Sequence, residues 1–176
     1  PRGRTAPERC YDGTGDVDCE PIHRRPERVM TGPESLPEDV RDGFETELDD
    51  HGLFSWLDLE FVTLEPGRVV FGIPFEEKFA SLVSGAVHGG VTASAMDTAS
   101  AFALRSTFDD PVSAQVTTTD LDVRYVNAAR GDLRVEATVV EAGGTMGYTD
   151  CEATTAHEGE RKTVATGGTS YRLFRE

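Results

Sequence analysis

Gly85-Ala86-Val87-His88-Gly89-Gly90-Val91-Thr92-Ala93-Ser94-Ala95-Met96-Asp97-Thr98-Ala99-Ser100-Ala101-Phe102-Ala103-Leu104-Arg105 opens on glycines, runs on through small and apolar residues, and carries one acid, Asp97. Gly89 and Gly90 stand where a helix would begin, so bare backbone N–H groups and the positive end of the helix dipole can face a ligand there. A lone carboxylate in such a run is expensive to bury: without a partner it costs several kcal/mol, roughly, or its pKa shifts. Asp97 therefore needs a reason to be there.

Upstream of this stretch, Pro33-Glu34-Ser35-Leu36-Pro37-Glu38-Asp39-Val40 leads into an acidic amphipathic helix, with Ser35 as a candidate cap. Val40, Phe44 and Leu48 recur every four residues, and the helix ends near His51-Gly52. Leu53 to Leu64 reads as a first strand, Glu65-Pro66-Gly67-Arg68 as a turn, and Val69, Phe71, Ile73 and Phe75 as an alternating second strand. Downstream come four alternating segments, over Val116–Val126, Leu133–Val140, Met146–His157 and Lys162–Phe174, the later ones separated by Gly143-Gly144 and Glu158-Gly159 turns. The last two are rich in Thr, Ala and Gly, so one face is packed closely or lies near an edge. One long helix between strands two and three excludes a doubly wound sheet, which needs alternating crossovers. The expected class is α+β, a curved antiparallel sheet wrapped around the long central helix, with an extra helix at the N-terminal side.

The chain has 176 residues and a net charge of -15, from 32 acids against 17 bases, and its only lysines are Lys78 and Lys162. Such an acidic surface excludes polyanionic partners, so neither nucleic acid nor an anionic membrane is expected, and it suits a protein kept soluble in high salt. No apolar run approaches the roughly 18 residues of a membrane-spanning helix, and the start shows no signal-peptide pattern. Cys10, Cys19 and Cys151 form no CxxC pair and no metal-ligand spacing. A reducing, cytoplasmic location is expected, with no metal. Within residues 1–31, six arginines balance six acids, so the whole net charge belongs to residues 32–176. With few large aliphatics, residues 1–31 read as a flexible extension ahead of a single domain over 32–176, a partner-binding arm being the alternative.

These features together resemble the hotdog-fold acyl-CoA thioesterases of the phenylacetic-acid-degradation (PaaI) type, within the 4-hydroxybenzoyl-CoA thioesterase superfamily. The resemblance runs from about Leu53 to Phe174. It rests on Gly-Ala-Val-His88-Gly89-Gly90-Val, on Asp97 nine residues after His88, on Val116-Thr117-Thr118-Thr119-Asp120-Leu121 leading to Tyr125 and Ala128-Ala129-Arg130-Gly131-Asp132, and on the Gly143-Gly144 hairpin. It implies a hotdog fold and hydrolysis of an acyl- or aryl-CoA thioester without a cofactor. It further implies that the Gly89 N–H polarises the thioester carbonyl, that Asp97 acts as general base or nucleophile, and that the hydroxyl of Thr118 helps hold the attacking water. One departure stands out: six residues before His88, where these enzymes commonly carry Asn, this chain has Leu82.

Gly89 and Asp97 are eight residues apart on one helix, about 12 Å along its axis at ~1.5 Å per residue. A reacting carbonyl must lie roughly 3 Å from both donor and nucleophile, so one chain cannot supply both. A two-fold dimer with antiparallel central helices can. A homodimer at minimum is expected, with room for a dimer of dimers.

The other candidates have plainer readings beside the functional ones. His88 precedes the helix and suits positioning and hydrogen bonding better than proton shuttling, and Gly89 could serve only the turn. Ser94 and Ser100 lack a GxSxG elbow and read as small packing residues, or as partners for Asp97. Gly90, Phe79, Leu82 and Val83, with Phe75, are candidates for binding the acyl group, the plain alternative being core packing. Arg105, Arg124, Arg130, Arg134 and Arg172 are candidates for the CoA phosphates. Two classes of function stay open: an acyl-CoA thioesterase, and a non-catalytic module that binds acyl-CoA or a protein partner. A dehydratase of the same fold lacks its usual acid–histidine pairing.

Overall fold

The computed structural model describes residues 10–11, 16–17, 35–157 and 160–175. The chain divides into two compact units, residues 1–32 and 33–176. Of the first, a short antiparallel pair is described, β1 (Cys10–Tyr11) with β2 (Asp16–Val17); the flexible extension expected over residues 1–31 otherwise lies outside the described residues. The second unit carries the central stretch.

Its first helix, α1 (Glu38–Asp50), buries Val40, Phe44 and Leu48 on one face, as their spacing demands. Ser35 does not cap it. Pro37 occupies the N-cap position, and its carbonyl accepts from the N–H groups of Val40 and Arg41, both at 3.1 Å, which leaves Ser35 outside the first turn. The strand expected over Leu53–Leu64 is helical in its first half: α2 spans Gly52–Leu57, and β3 (Glu60–Glu65) starts only after Asp58 turns the chain with φ of 55°. Helix wins because it buries Leu57 completely and sets Phe54 edge-on to Phe102 at 6.0 Å, contacts that period-two alternation would split between opposite faces. The next strand, β4 (Arg68–Ile73), pairs with β3 across the Pro66-Gly67 turn. Val69, Val70 and Phe71 are all fully buried, so β4 is covered on both faces rather than alternating, and Phe75 lies beyond its end.

The opening stretch forms α3 (Gly89–Arg105). Four strands follow, β5 (Gln115–Tyr125), β6 (Leu133–Ala142), β7 (Met146–His157) and β8 (Glu160–Phe174). The six-stranded sheet has the order β3-β4-β6-β7-β8-β5 and is antiparallel throughout. Although β6, β7 and β8 follow one another as the sequence suggests, β5 pairs with β8 at the far edge and β6 enters beside β4. Period-two alternation reports which residues share a face and carries no information about which strand lies alongside.

The sheet wraps α3, which packs against β4 through β8. Ala95, Ala99 and Ala103, a stripe at four-residue spacing, are completely buried, and their small side chains let the backbones approach. Phe102 is the aromatic hub, with ring centroids 4.9 Å from Phe44, 5.6 Å from Phe61 and 5.8 Å from Phe71, all edge-on.

Candidate active site

α3 begins on a hydrogen-bonded loop. Ser81 N–H donates to Ala86 O at 2.7 Å, Gly85 N–H donates to Ser81 O at 2.8 Å, and Ala80 bridges to Val87. Gly85 closes the loop with φ of 65°, a conformation side chains resist, and Arg130 Nη1 ties the loop down through Ser84 O at 2.9 Å. Leu82 and Val83 stand at its tip with relative exposures of 105% and 98%. These two residues therefore do not line a pocket within one chain. Phe79, named with them as an acyl-binding residue, is 1% exposed and meets Trp56 edge-on at 5.1 Å, which makes it core. The cleft of about 640 Å³ beside Ala101, Phe102, Val116 and Phe174 includes none of the three.

His88 is the N-cap of α3. Its Nδ1 accepts the Gly90 N–H at 3.0 Å, so a neutral ring carries its proton on Nε2. Val91 N–H returns to His88 O at 2.9 Å. The Gly89 N–H is left over, with no acceptor among the described residues. Gly89 is not a glycine for the sake of a turn, because its φ is not positive. A Cβ there would lie 3.1 Å from the ring of Tyr125, whose hydroxyl donates to Gly89 O at 2.6 Å. Burial pushes the Tyr125 phenol up, which keeps it a donor.

Asp97 is half-buried, on the partly exposed stripe it shares with Ala93 and Ala101. Its partners come from the sheet. Thr118 Oγ1 donates at 3.0 Å to Oδ1 and lies 3.2 Å from Oδ2, while the Tyr171 hydroxyl is 2.5 Å from Oδ1 and 2.6 Å from the Asp97 main-chain oxygen. Ser94 and Ser100, weighed as partners, bond their own helix instead, at Gly90 O and Met96 O, both at 2.8 Å. The presence of Thr118 here depends on a bulge. The β5–β8 register slips between Thr118 and Asp120, so Thr118 shares the helix-facing side with Leu121 although the two are an odd number of residues apart. Tyr171, its direct cross-strand partner, is 2% exposed. Burial and then the bond to Asp97 push the Tyr171 phenol far up, so it stays protonated.

Tyr171 and the contact of Tyr125 with Gly89 escape a reading of sequence alone. The one available signal for Tyr171 is that it is a lone aromatic in the small and polar Thr166-Gly167-Gly168-Thr169-Ser170 context. Among the arginines, Arg105 is structural, bonded to Glu47 at 2.8 Å and to the carbonyls of Pro111 and Val112. Arg134 has a buried Nε with no partner among the described residues, and Arg172 lies over Phe174. Arg124 is exposed, and Arg130 is the member of the set bonded to the loop that leads into α3.

A curved antiparallel sheet around one long helix, with an N-terminal helix in front, is the hotdog fold. The thioesterase superfamily model matches residues 84–162, from the loop through β5, β6 and β7. A Halobacterium salinarum protein provisionally named an esterase is 40% identical over 134 residues, covering 73% of this chain and 89% of its own length. Human acyl-coenzyme A thioesterase 13 is 29% identical over 111 residues, 62% of this chain and 75% of its own. The structure of the Escherichia coli PaaI protein superposes with a TM-score of 0.68 at 18% identity, covering 80% of this chain and 97% of that one. The chain belongs to the thioesterase superfamily and has its hotdog fold.

Proposed function

We propose that this protein hydrolyses an acyl- or aryl-CoA thioester to the free acid and CoA, in composite sites shared between two copies of the chain. The observation that carries the reading is a division of labour on α3: a Gly89 N–H at the helix start with no acceptor among the described residues, and farther along it a half-buried carboxylate held by the hydroxyls of Thr118 and Tyr171. The thioester carbonyl of one site accepts from the Gly89 N–H of one chain, a donor worth about 3 kcal/mol when charge develops on the oxygen. Asp97 of the other chain takes a proton from water as the hydroxide adds to the acyl carbon, or attacks that carbon itself to give an anhydride that water then cleaves. In either route the C–S bond breaks and the CoA thiolate leaves and is protonated. Thr118 orients the carboxylate and the water beside it. His88 acts by capping, holding the Gly90 N–H and leaving that of Gly89 free.

Dimer formation is supported by what one chain leaves uncovered. The edge strand β5 is mostly exposed on both faces, including Leu121, Tyr125 and the open backbone edge beyond them, and Leu82 and Val83 stand in solvent. In the dimer, Leu82 and Val83 would contribute apolar surface near the acyl group of the paired site, and Arg130, beside them, a cation for CoA. The acidic composition supports a working environment of high salt, in which a Debye length of ~3 Å at molar ionic strength removes the long-range repulsion of an anionic substrate. We place the enzyme in the cytoplasm.

A non-catalytic acyl-CoA or protein-binding module is the second reading. It is favoured by Leu82, an exposed leucine where the family commonly carries an amide. The two separate in an assay of free thiol release from short, aryl and long acyl-CoAs in molar KCl, with Asp97→Asn alongside. Turnover that falls by about a thousandfold or more in Asp97→Asn is expected; binding of acyl-CoA without turnover on any member of the panel would establish the module.

A further inference from the structure

We propose that Tyr171 is the positioning residue of Asp97: its buried hydroxyl fastens Oδ1 and leaves Oδ2 as the oxygen that meets water or thioester. The inference rests on the reading of Asp97 as base or nucleophile and adds a residue and an oxygen to it. The Tyr171 hydroxyl faces two acceptors, Oδ1 at 2.5 Å and the Asp97 main-chain oxygen at 2.6 Å. A phenol has one hydrogen, and the main-chain oxygen already belongs to the helical ladder of α3, so the hydrogen serves the charged oxygen, where the bond is stronger. The ring cannot swing away, because it packs with Leu104 and Leu173 in a second buried cluster.

The two carboxylate oxygens are therefore unequal. Oδ1 receives Tyr171 and the shorter contact of Thr118, whereas among the described residues Oδ2 has only the longer, 3.2 Å contact to the same Thr118 hydroxyl, which has a single hydrogen to share between the two. The free lone pairs are on Oδ2. Tyr171 does not exchange protons in this arrangement, since its phenol stays neutral, so it acts as a fixed donor rather than as an acid or base. Among the elements packed on α3, β8 brings Tyr171 to Asp97 and β5 brings the uncharged Thr118. β7 brings the Cys151 thiol, which burial pushes up and keeps neutral. The inward side chains of β4 and β6 are apolar, and Glu47 of α1 is engaged with Arg105, two turns along.

The test compares wild type, Asp97→Asn, Tyr171→Phe and Thr118→Val in molar KCl. Loss of a hydrogen bond to a charged group predicts that Tyr171→Phe lowers kcat by about tenfold or more, with KM within about twofold because no substrate contact is removed. The acid limb of its kcat/KM profile moves to higher pH, since a donor to the ionised carboxylate is gone. Turnover abolished by Asp97→Asn but untouched, in rate and profile, by Tyr171→Phe would overturn the inference and leave the thioesterase reading standing. Turnover unaffected by Asp97→Asn would overturn the reading of Asp97 itself. A readout free of turnover is the ¹³C NMR titration of the Asp97 carboxyl: displacement to higher pH in Tyr171→Phe is expected, and superimposable curves would overturn the inference. Should Tyr171→Phe fail to fold, 3-fluorotyrosine at position 171 keeps the shape with a stronger donor and shifts the Asp97 titration the opposite way; no shift overturns it.

Discussion

At the scale of single residues, the chemistry of the site is a matter of hydroxyls. Tyr171 and Thr118 pair across β8 and β5, and both reach the one acid of α3. Tyr171 also leaves a mark on stability that needs no substrate. The unfolded chain ionises this phenol near its ordinary value of 10.0, whereas the folded protein holds it neutral well above that pH. Its contribution is therefore fully present below about pH 10 and is lost as pH rises beyond, because the unfolded state then binds fewer protons than the folded one. The Cys151 thiol, also raised, adds the same sign from about its ordinary 9.0. Urea unfolding followed from pH 8 to 12 should show stability falling from pH 9–10 upward, with a shallower fall in Tyr171→Phe. Asp97 itself was legible as an anomaly in an apolar run, but its partners were not. Cross-strand neighbours in β5 and β8 are separated by some fifty residues of sequence, and the bulge at Thr119 sets their register without any local signature.

At the scale of elements, the loop before α3 governs how the helix start is presented. Its hydrogen bonds from Ser81 to Ala86 and the positive φ of Gly85 hold the chain in one conformation ahead of His88. Gly85→Ala forces a side chain into the left-handed region, at a cost of about 1–2 kcal/mol. The expected outcome is a lower Tm together with weaker thiol release, both measurable on one preparation; an unchanged Tm would show that the loop relaxes freely. The elements were read unevenly from sequence. α1 follows from clear periodicity, α3 from its starting glycines and long run of small and apolar residues, and the β6–β7–β8 meander from alternating segments set off by glycine turns. The region from Gly52 to Leu57 was misread because a short apolar run has no period of its own, and burial of Leu57 and the approach of Phe54 to Phe102 chose helix.

At the scale of the whole molecule, a single chain is incomplete as a catalyst on the proposed reading. Two copies must meet for Gly89 of one to face Asp97 of the other, and Leu121 and Tyr125 on β5 with the Leu82-Val83 tip are exposed apolar side chains that such a meeting could cover. Charges placed there oppose association, since each buried unpaired carboxylate costs several kcal/mol, roughly. The double variant Leu82→Asp with Val83→Asp should sediment as a folded monomer in molar KCl and lose thiol release, while wild type sediments as a dimer or larger. A monomeric wild type with full activity would remove the composite site altogether.

The sequence by itself determined the class of the fold, the central helix with its starting glycines and single acid, and the charge, each written in local periodicity, composition or motif spacing, which survive without coordinates; the family was legible as a resemblance carried by the His88-Gly89-Gly90 and Asp97 motifs. Only the tertiary structure decided that Gly52 to Leu57 is helical, that β5 closes against β8, that Gly89 packs against Tyr125 instead of serving a turn, and that Tyr171 and Thr118 hold Asp97. Those are contacts between residues far apart in the chain, selected by burial and by hydrogen-bond geometry, and no window of sequence contains both partners.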